Sequence, residues 1–147
     1  MKIILIDDYY EINEKIWEKY SLLIKNILID YKNCNEIEAK NFEFKYLVLL
    51  DKILLIKNKN NFNFSIVPKP MNVNFNFEDY VNEYENNFFQ YFDLEWNETA
   101  IKDLINFIKI VNFFDIPELF ELSCAKMAEL CRNINKEDFK KLFLNNN

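Results

Sequence analysis

The chain has 147 residues, a net charge of −6 and 15 Phe, with no Gly and no His. That length suits one domain with a sizeable core, and the acidic balance with a single arginine, Arg132, argues against a nucleic-acid binder, which needs a basic stripe. Without Gly there is no phosphate-cradling loop or nucleophile elbow, and without His the commonest general base and metal ligand is gone.

The apolar run at 2–6 is predicted to be a strand. Asp7-Asp8-Tyr9-Tyr10 turns it, and a second short strand follows at 10–12. One helix comes next. Ile16, Tyr20, Leu23, Ile24, Ile27 and Leu28 recur at spacings of three and four, Asn13 supplies an N-cap and Glu14 suits the first turn. The polar stretch 33–41, with Ile37 inside it, reads as a loop carrying a short strand. "FKYLVLLDKILLI" at 44–56 is apolar nearly all round; its length and leucine content favour a helix buried on most sides.

Residues 58–97 are rich in Asn and Phe. "NFNFSIV" and "NVNFNF" alternate polar with apolar, so 61–67 is expected to pair with 72–77 as a hairpin turned by "PKPM". Phe62, Phe64 and Ile66 would share one face, and Val73, Phe75 and Phe77 another. The other reading is a loose Asn-rich insertion.

A helix is predicted at 100–113, capped by Asn97, with Ile101, Leu104, Ile105, Ile108 and Val111 on one stripe. The chain then restarts almost at once. Asp115 is expected at an N-cap, Pro117 in the first turn, and Glu118 three residues on as in a capping box. The restarted helix carries Leu119, Leu122, Met127 and Leu130 to about Arg132, where Asn133 takes the left-handed conformation that Gly usually supplies. Asn135 caps a last short helix with Phe139, Leu142 and Phe143 inward.

Hydroxyls at Ser21, Ser65, Ser123 and Thr99 are scattered, and the acidic pairs Asp7/Asp8 and Glu137/Asp138 are of an ordinary kind. The expectation is a protein that is not an enzyme, with no catalytic residue, no metal and no cofactor. No run of about 18 uncharged apolar residues occurs, so neither a membrane span nor a membrane partner is expected. Acids at Asp7 and Asp8 come too early for a secretory leader. Cys34, Cys124 and Cys131 lack CxxC spacing, which fits a reducing compartment, and they read as small core hydrophobes.

The run "NFFDIPELFELSCAKMAEL" resembles the Skp family, the adaptors of cullin–RING (SCF) ubiquitin ligases. The family's corner reads Asn-Tyr-Leu-Asp-Ile, then Leu, Cys and Ala at the distances seen here, matched by Asn112, Asp115, Ile116, Leu119, Cys124 and Ala128. "NKEDFKKLF" is similar to the family's next helix at Glu137, Lys141 and Phe143. "SLLIKNIL" matches at Ser21, Ile24, Lys25 and Leu28. Lys40-Asn41-Phe42 stands where the family has Pro-Asn-Val. The matches are collinear and span most of the chain outside 58–91.

The resemblance implies an α+β BTB/POZ fold, a small sheet flanked by helices. Residues 1–116 would form the BTB/POZ-like domain, interrupted by the insertion at 58–97, and 117–147 a C-terminal helical extension. It implies an adaptor bridging a cullin to an F-box protein in cytoplasm and nucleus, those of a host cell if the source is a virus or parasite. Asn112 and Phe113 would face the cullin; Leu119, Leu122, Met127, Leu130, Phe139 and Phe143 would face the F-box. Phe113 replaces the family's Tyr, keeping stacking area and losing a hydroxyl. The alternative at the corner puts Phe113 in the core and leaves Phe114 outside. The family continues into a further helix with a Trp-Cys motif, whereas here only Asn145-Asn146-Asn147 follow Leu144. Two other functions therefore stay open: a shortened mimic engaging only a cullin or only an F-box protein, and a self-associating BTB module forming a homodimer.

Overall fold

Lys2–Ile4 (β1) pairs antiparallel with Tyr9–Glu11 (β2) and parallel with Glu36–Glu38 (β3), in the order β2-β1-β3. The computed structural model describes residues 1–68, 74–92, 98–132 and 136–143, with the backbone alone for Glu98, Lys136, Phe139, Leu142 and Phe143. Alternation along the first run decides its sides: Ile3 and Leu5 are buried, while Ile6 is 65% exposed. The Asp7-Asp8 turn closes where expected, with the Leu5 N–H donating to the Asp8 carbonyl at 2.8 Å. The predicted short strand around Ile37 is β3.

The single helix expected after Asn13 is two, Glu14–Tyr20 (α1) and Leu22–Asp30 (α2). Asn13 caps the first as predicted, accepting from the Ile16 N–H at 3.2 Å. Ser21 is extended at φ −98°, ψ 117° and makes the break. Its N–H closes α1 onto the Trp17 carbonyl, and its Oγ accepts from the Ile24 N–H at 3.2 Å to start α2. The break turns the inward face of α1 to Trp17, leaving Ile16 half-buried. Periodicity alone could not show this, because both segments keep helical spacing.

Phe44–Asn60 (α3) is the helix predicted from the apolar run. It buries Tyr46, Leu47, Leu50, Ile53 and Leu54, together with Asp51, which accepts from Tyr10 Oη at 2.6 Å and Trp17 Nε1 at 2.7 Å. Its end shows how a chain without Gly stops a helix. Asn61 takes φ 50°, ψ 47°, and its N–H returns to the Lys57 carbonyl at 2.8 Å; Asn tolerates this region because its short polar side chain bonds locally.

The expected hairpin does not form. Residues 62–68 run without strand, turn or bend, and among 74–77 there is no strand; Asn72 and Val73 lie outside the described residues. Instead of a ladder partner, the Ser65 N–H finds the Glu85 carboxylate at 2.8 Å, and Ser65 Oγ donates to the same group. Phe64 packs inward while Ile66, assigned to the same face, is 89% exposed. Lys57 pins the start of this strap. Its ammonium donates to the Phe62 carbonyl and lies over the rings of Phe64, Tyr20 and Phe62 at 4.7, 5.1 and 5.4 Å. Burial pushes the Lys57 pKa below the usual lysine value, and the Glu118 and Glu85 carboxylates work against that shift.

The loose-insertion reading fails for the described part of 58–97. A 3₁₀ turn at Phe77–Asp79 and a helix at Glu83–Phe89 (α4) bring Phe77, Phe88, Phe89 and Phe92 into one aromatic core with Phe107. Asn82 and Glu85 form a capping box on α4. The helix Glu98–Phe113 (α5) buries Ile101, Leu104, Phe107, Ile110 and Val111. Ile105 and Ile108, placed on its inward stripe, are half-buried. Pro117–Cys131 (α6) and Lys136–Phe143 (α7) complete the described elements. The proposed caps Asn97, Asn133 and Asn135 lie outside the described residues.

Candidate functional site

The α5–α6 corner is built from main-chain bonds. The Asp115 N–H donates to the Asn112 carbonyl at 3.1 Å and the Ile116 N–H to the Val111 carbonyl at 3.4 Å, with Asp115 at φ 56°. This is the Schellman pattern, with Asp where Gly normally stands. Asp115 is therefore not the N-cap of α6, as the capping-box reading had it. Its left-handed backbone closes α5, and Ile116 takes the cap position with no side-chain cap bond. Pro117 opens α6, where its missing N–H is harmless.

The junction of α1 and α2 fastens this corner. Ser21 Oγ donates to the Phe114 carbonyl at 2.5 Å, the Leu22 N–H to the Asp115 carbonyl at 3.0 Å, and the Leu23 N–H to the Phe114 carbonyl at 3.4 Å. The Phe114 ring is fully buried edge-on against Trp17, with centroids 5.0 Å apart. With Phe114 held inside, Asn112 and Phe113 stand outside: Asn112 is exposed and Phe113 is 37% exposed. The alternative arrangement, Phe113 in and Phe114 out, is reversed.

Phe113 is not alone on the surface. Its ring lies 5.3 Å from that of half-buried Phe42, and the Ile6 N–H donates to the Phe42 carbonyl at 3.0 Å. Phe42 and Phe113 thus form an aromatic pair beside Asn112, and exposed Ile6 is bonded to Phe42 through the main chain. Sequence reasoning did not reach Ile6. Its signal was the last apolar residue of a strand run, on the opposite side of the pleat from Ile3 and Leu5.

Four of the six residues assigned to an F-box face have described side chains. Leu119 and Leu122 are core residues at 0% and 1% exposure. They sit on the side of α6 that packs against the rest of the protein, so they support that helix and offer no surface. Met127 and Leu130 are half-buried against the core. The side chains of Phe139 and Phe143 lie outside the described residues. Another face of α6 borders a groove: a space of about 490 Å³ is lined by Ser65, Ile66, Val67 and Pro68 on one side and Glu118, Glu121, Cys124 and Ala125 on the other.

Cys34, Cys124 and Cys131, read as small core hydrophobes, form no disulfide and are half-buried. Burial pushes the Cys131 thiol up from its usual value. Among the described residues no three His, Cys, Asp or Glu side chains are grouped to hold a metal ion, and no helix is long and apolar enough to cross a membrane.

The three-stranded sheet, its flanking helices and the helical region beyond the α5–α6 corner make this an α+β protein of the BTB/POZ-like class. No family model matches the chain. It is similar to the S-phase kinase-associated protein 1 homolog of Tetrahymena thermophila, with 29% identity over 139 residues, covering 95% of this chain and 77% of that protein. That similarity, collinear over nearly the whole chain, supports the likeness to the Skp family.

Proposed function

We propose that this protein is the adaptor subunit of an SCF-type ubiquitin ligase, acting in cytoplasm and nucleus, and that it meets a cullin through Asn112 and Phe113. The observation that carries the reading is the corner itself. Phe114 is locked inside by Ser21 and Trp17, and this leaves Phe113 outside on an apolar patch with Phe42. An aromatic ring seated in such a patch and rimmed by polar side chains is the usual form of an interface anchor. The F-box protein is assigned to the α6–α7 side through Met127 and Leu130, with Phe139 and Phe143 on α7. Leu119 and Leu122 drop out of that set because they have no surface to give.

The test is a pull-down with purified cullin N-terminal domain and, separately, with an F-box domain. Asn112→Ala with Phe113→Ala is expected to weaken cullin capture about thirtyfold, the effect of losing an anchor of about 2 kcal/mol. F-box capture should persist. Unchanged cullin capture would remove the corner from the interface. A second reading, a mimic that engages a cullin alone, is favoured by the withdrawal of Leu119 and Leu122 into the core, and it predicts cullin capture with no F-box capture in the unmodified protein.

A further inference from the structure

Lys57 carries a buried positive charge that no carboxylate answers. It is 7% exposed and forms no ion pair among the described residues. Its ammonium donates to one carbonyl, that of Phe62, and lies 4.7 and 5.1 Å from the ring centroids of Phe64 and Tyr20. Aromatic faces attract a cation but supply no counter-charge, and a buried charge is ordinarily paired. Burial lowers the Lys57 pKa, and the more distant Glu118 and Glu85 carboxylates offset only part of that shift.

Tyr20 and Phe64 also line a space of about 260 Å³, which Lys57 shares with Lys19. Lys19 is exposed; its ammonium donates to Asn58 Oδ1 at 3.2 Å and has no carboxylate partner among the described residues. Two cations without counter-charges therefore border one space. Leu22, Ile116 and Pro117 give it apolar walls. The start of α6 lies at that wall with no side-chain cap bond, so the positive end of the helix adds to the two lysines without replacing them. The Glu118 carboxylate, also among the lining residues, works against a doubly charged ligand. We propose that this space binds a small monocarboxylate with an apolar body, its carboxylate against Lys57 and Lys19 and its body against Leu22 and Pro117. The volume lies just below the usual range for drug-sized ligands, which suits a compact one. The proposal does not rest on the adaptor reading.

The probe is hydrocinnamate, added to the intact chain and followed by amide NMR. Saturable shifts are expected at Tyr20, Leu22, Lys57 and Ile116. The neutral amide of the same acid keeps the body and loses the charge, and should bind about tenfold more weakly. Inorganic phosphate should also bind more weakly than hydrocinnamate. Lys57→Met keeps the apolar stem, removes the ammonium and should abolish the saturable shifts. Lys57 also pins the strap, so exposed Lys19 supplies a second variant. Lys19→Ala should melt as the unmodified protein does and bind hydrocinnamate about fivefold more weakly. Absence of saturable shifts, equal binding of the neutral amide, tighter binding of phosphate, or full binding to either variant would each overturn the proposal.

Discussion

The hydroxyl of Ser21 reaches the carbonyl oxygen of Phe114 across 93 positions of sequence, and one oxygen thereby serves two elements. It donates to the corner that ends α5 and accepts from the Ile24 N–H that begins α2. A helix break that looks like a local defect in α1–α2 is what sets the depth of Phe114, and hence which of two adjacent phenylalanines faces solvent.

Ser21→Ala removes both bonds from a site that is 1% exposed. The loss of an N-cap and of a buried hydrogen bond together should cost about 1–3 kcal/mol. Denaturant unfolding measures the cost. Amide exchange should accelerate at Phe114, Asp115 and Ile116 more than at β1. A loss below about 0.5 kcal/mol, with exchange at the corner unchanged, would show that the other two main-chain bonds hold it unaided.

Asp115 sits at φ 56° in a place that normally belongs to Gly. Asp115→Gly should relieve the side chain's steric cost and raise stability by up to about 1 kcal/mol, offset in part by the freer unfolded chain. Asp115→Ala keeps the Cβ without the local polar compensation and should lower stability by about 1 kcal/mol. Matched melting curves for the two variants would mean that the left-handed conformation is not what Asp115 contributes.

The elements that could be read in the sequence are those whose signal is local and repeated. The apolar run of α3 and the stripe of α5 carry more than two turns of periodicity each, and Asn13 announces its helix because a cap acts within three residues. What could not be read depends on distant partners. Ser21 breaks a periodic helix to meet Phe114, and the Ser65 N–H goes to Glu85 in place of a hairpin strand. Leu119 and Leu122 lie on an apolar face of α6, yet only the packed structure shows that this face is filled from within. The corner was legible by resemblance at Asn112 and Phe113, while the place of Phe42 against Phe113 depends on a contact between distant segments.

Glu85 is completely buried and gathers three donors: the Ser65 N–H at 2.8 Å, the Asn82 N–H at 2.9 Å, and Ser65 Oγ. Glu85→Ala should orphan them and cost about 2–4 kcal/mol. Glu85→Gln keeps the shape but loses the charge-assisted character of the bonds, so its cost should be about half. The strap should loosen ahead of the rest, so proteolytic nicking at 62–68 would appear before global unfolding. Simultaneous loss of strap and core protection in both variants would show that the strap is not a separate unit.

Tyr10, Trp17 and Asp51 give the fold an alkaline dependence whose sign is fixed. Burial pushes the Tyr10 phenol up from 10.0 to about 12, and the hydrogen bond to Asp51 and its negative charge push the same way. The unfolded chain therefore loses this proton first as pH rises. The stabilisation from protonated Tyr10 is complete below pH 10 and declines between about 10 and 12, because the native state there holds the proton that the unfolded state has released. Tyr10→Phe removes this titration, so the stability gap between it and the unmodified protein should shrink across that window. Asp51→Ala should leave Tyr10 raised by burial alone, moving its titration toward that of a free phenol, and should cost about 2–4 kcal/mol near neutral pH because the Trp17 Nε1 and Tyr10 hydroxyl donors lose their acceptor. Urea unfolding of the three proteins across the alkaline range reads both effects. A gap between Tyr10→Phe and the unmodified protein that widens with rising pH would reverse the sign and refute the assignment.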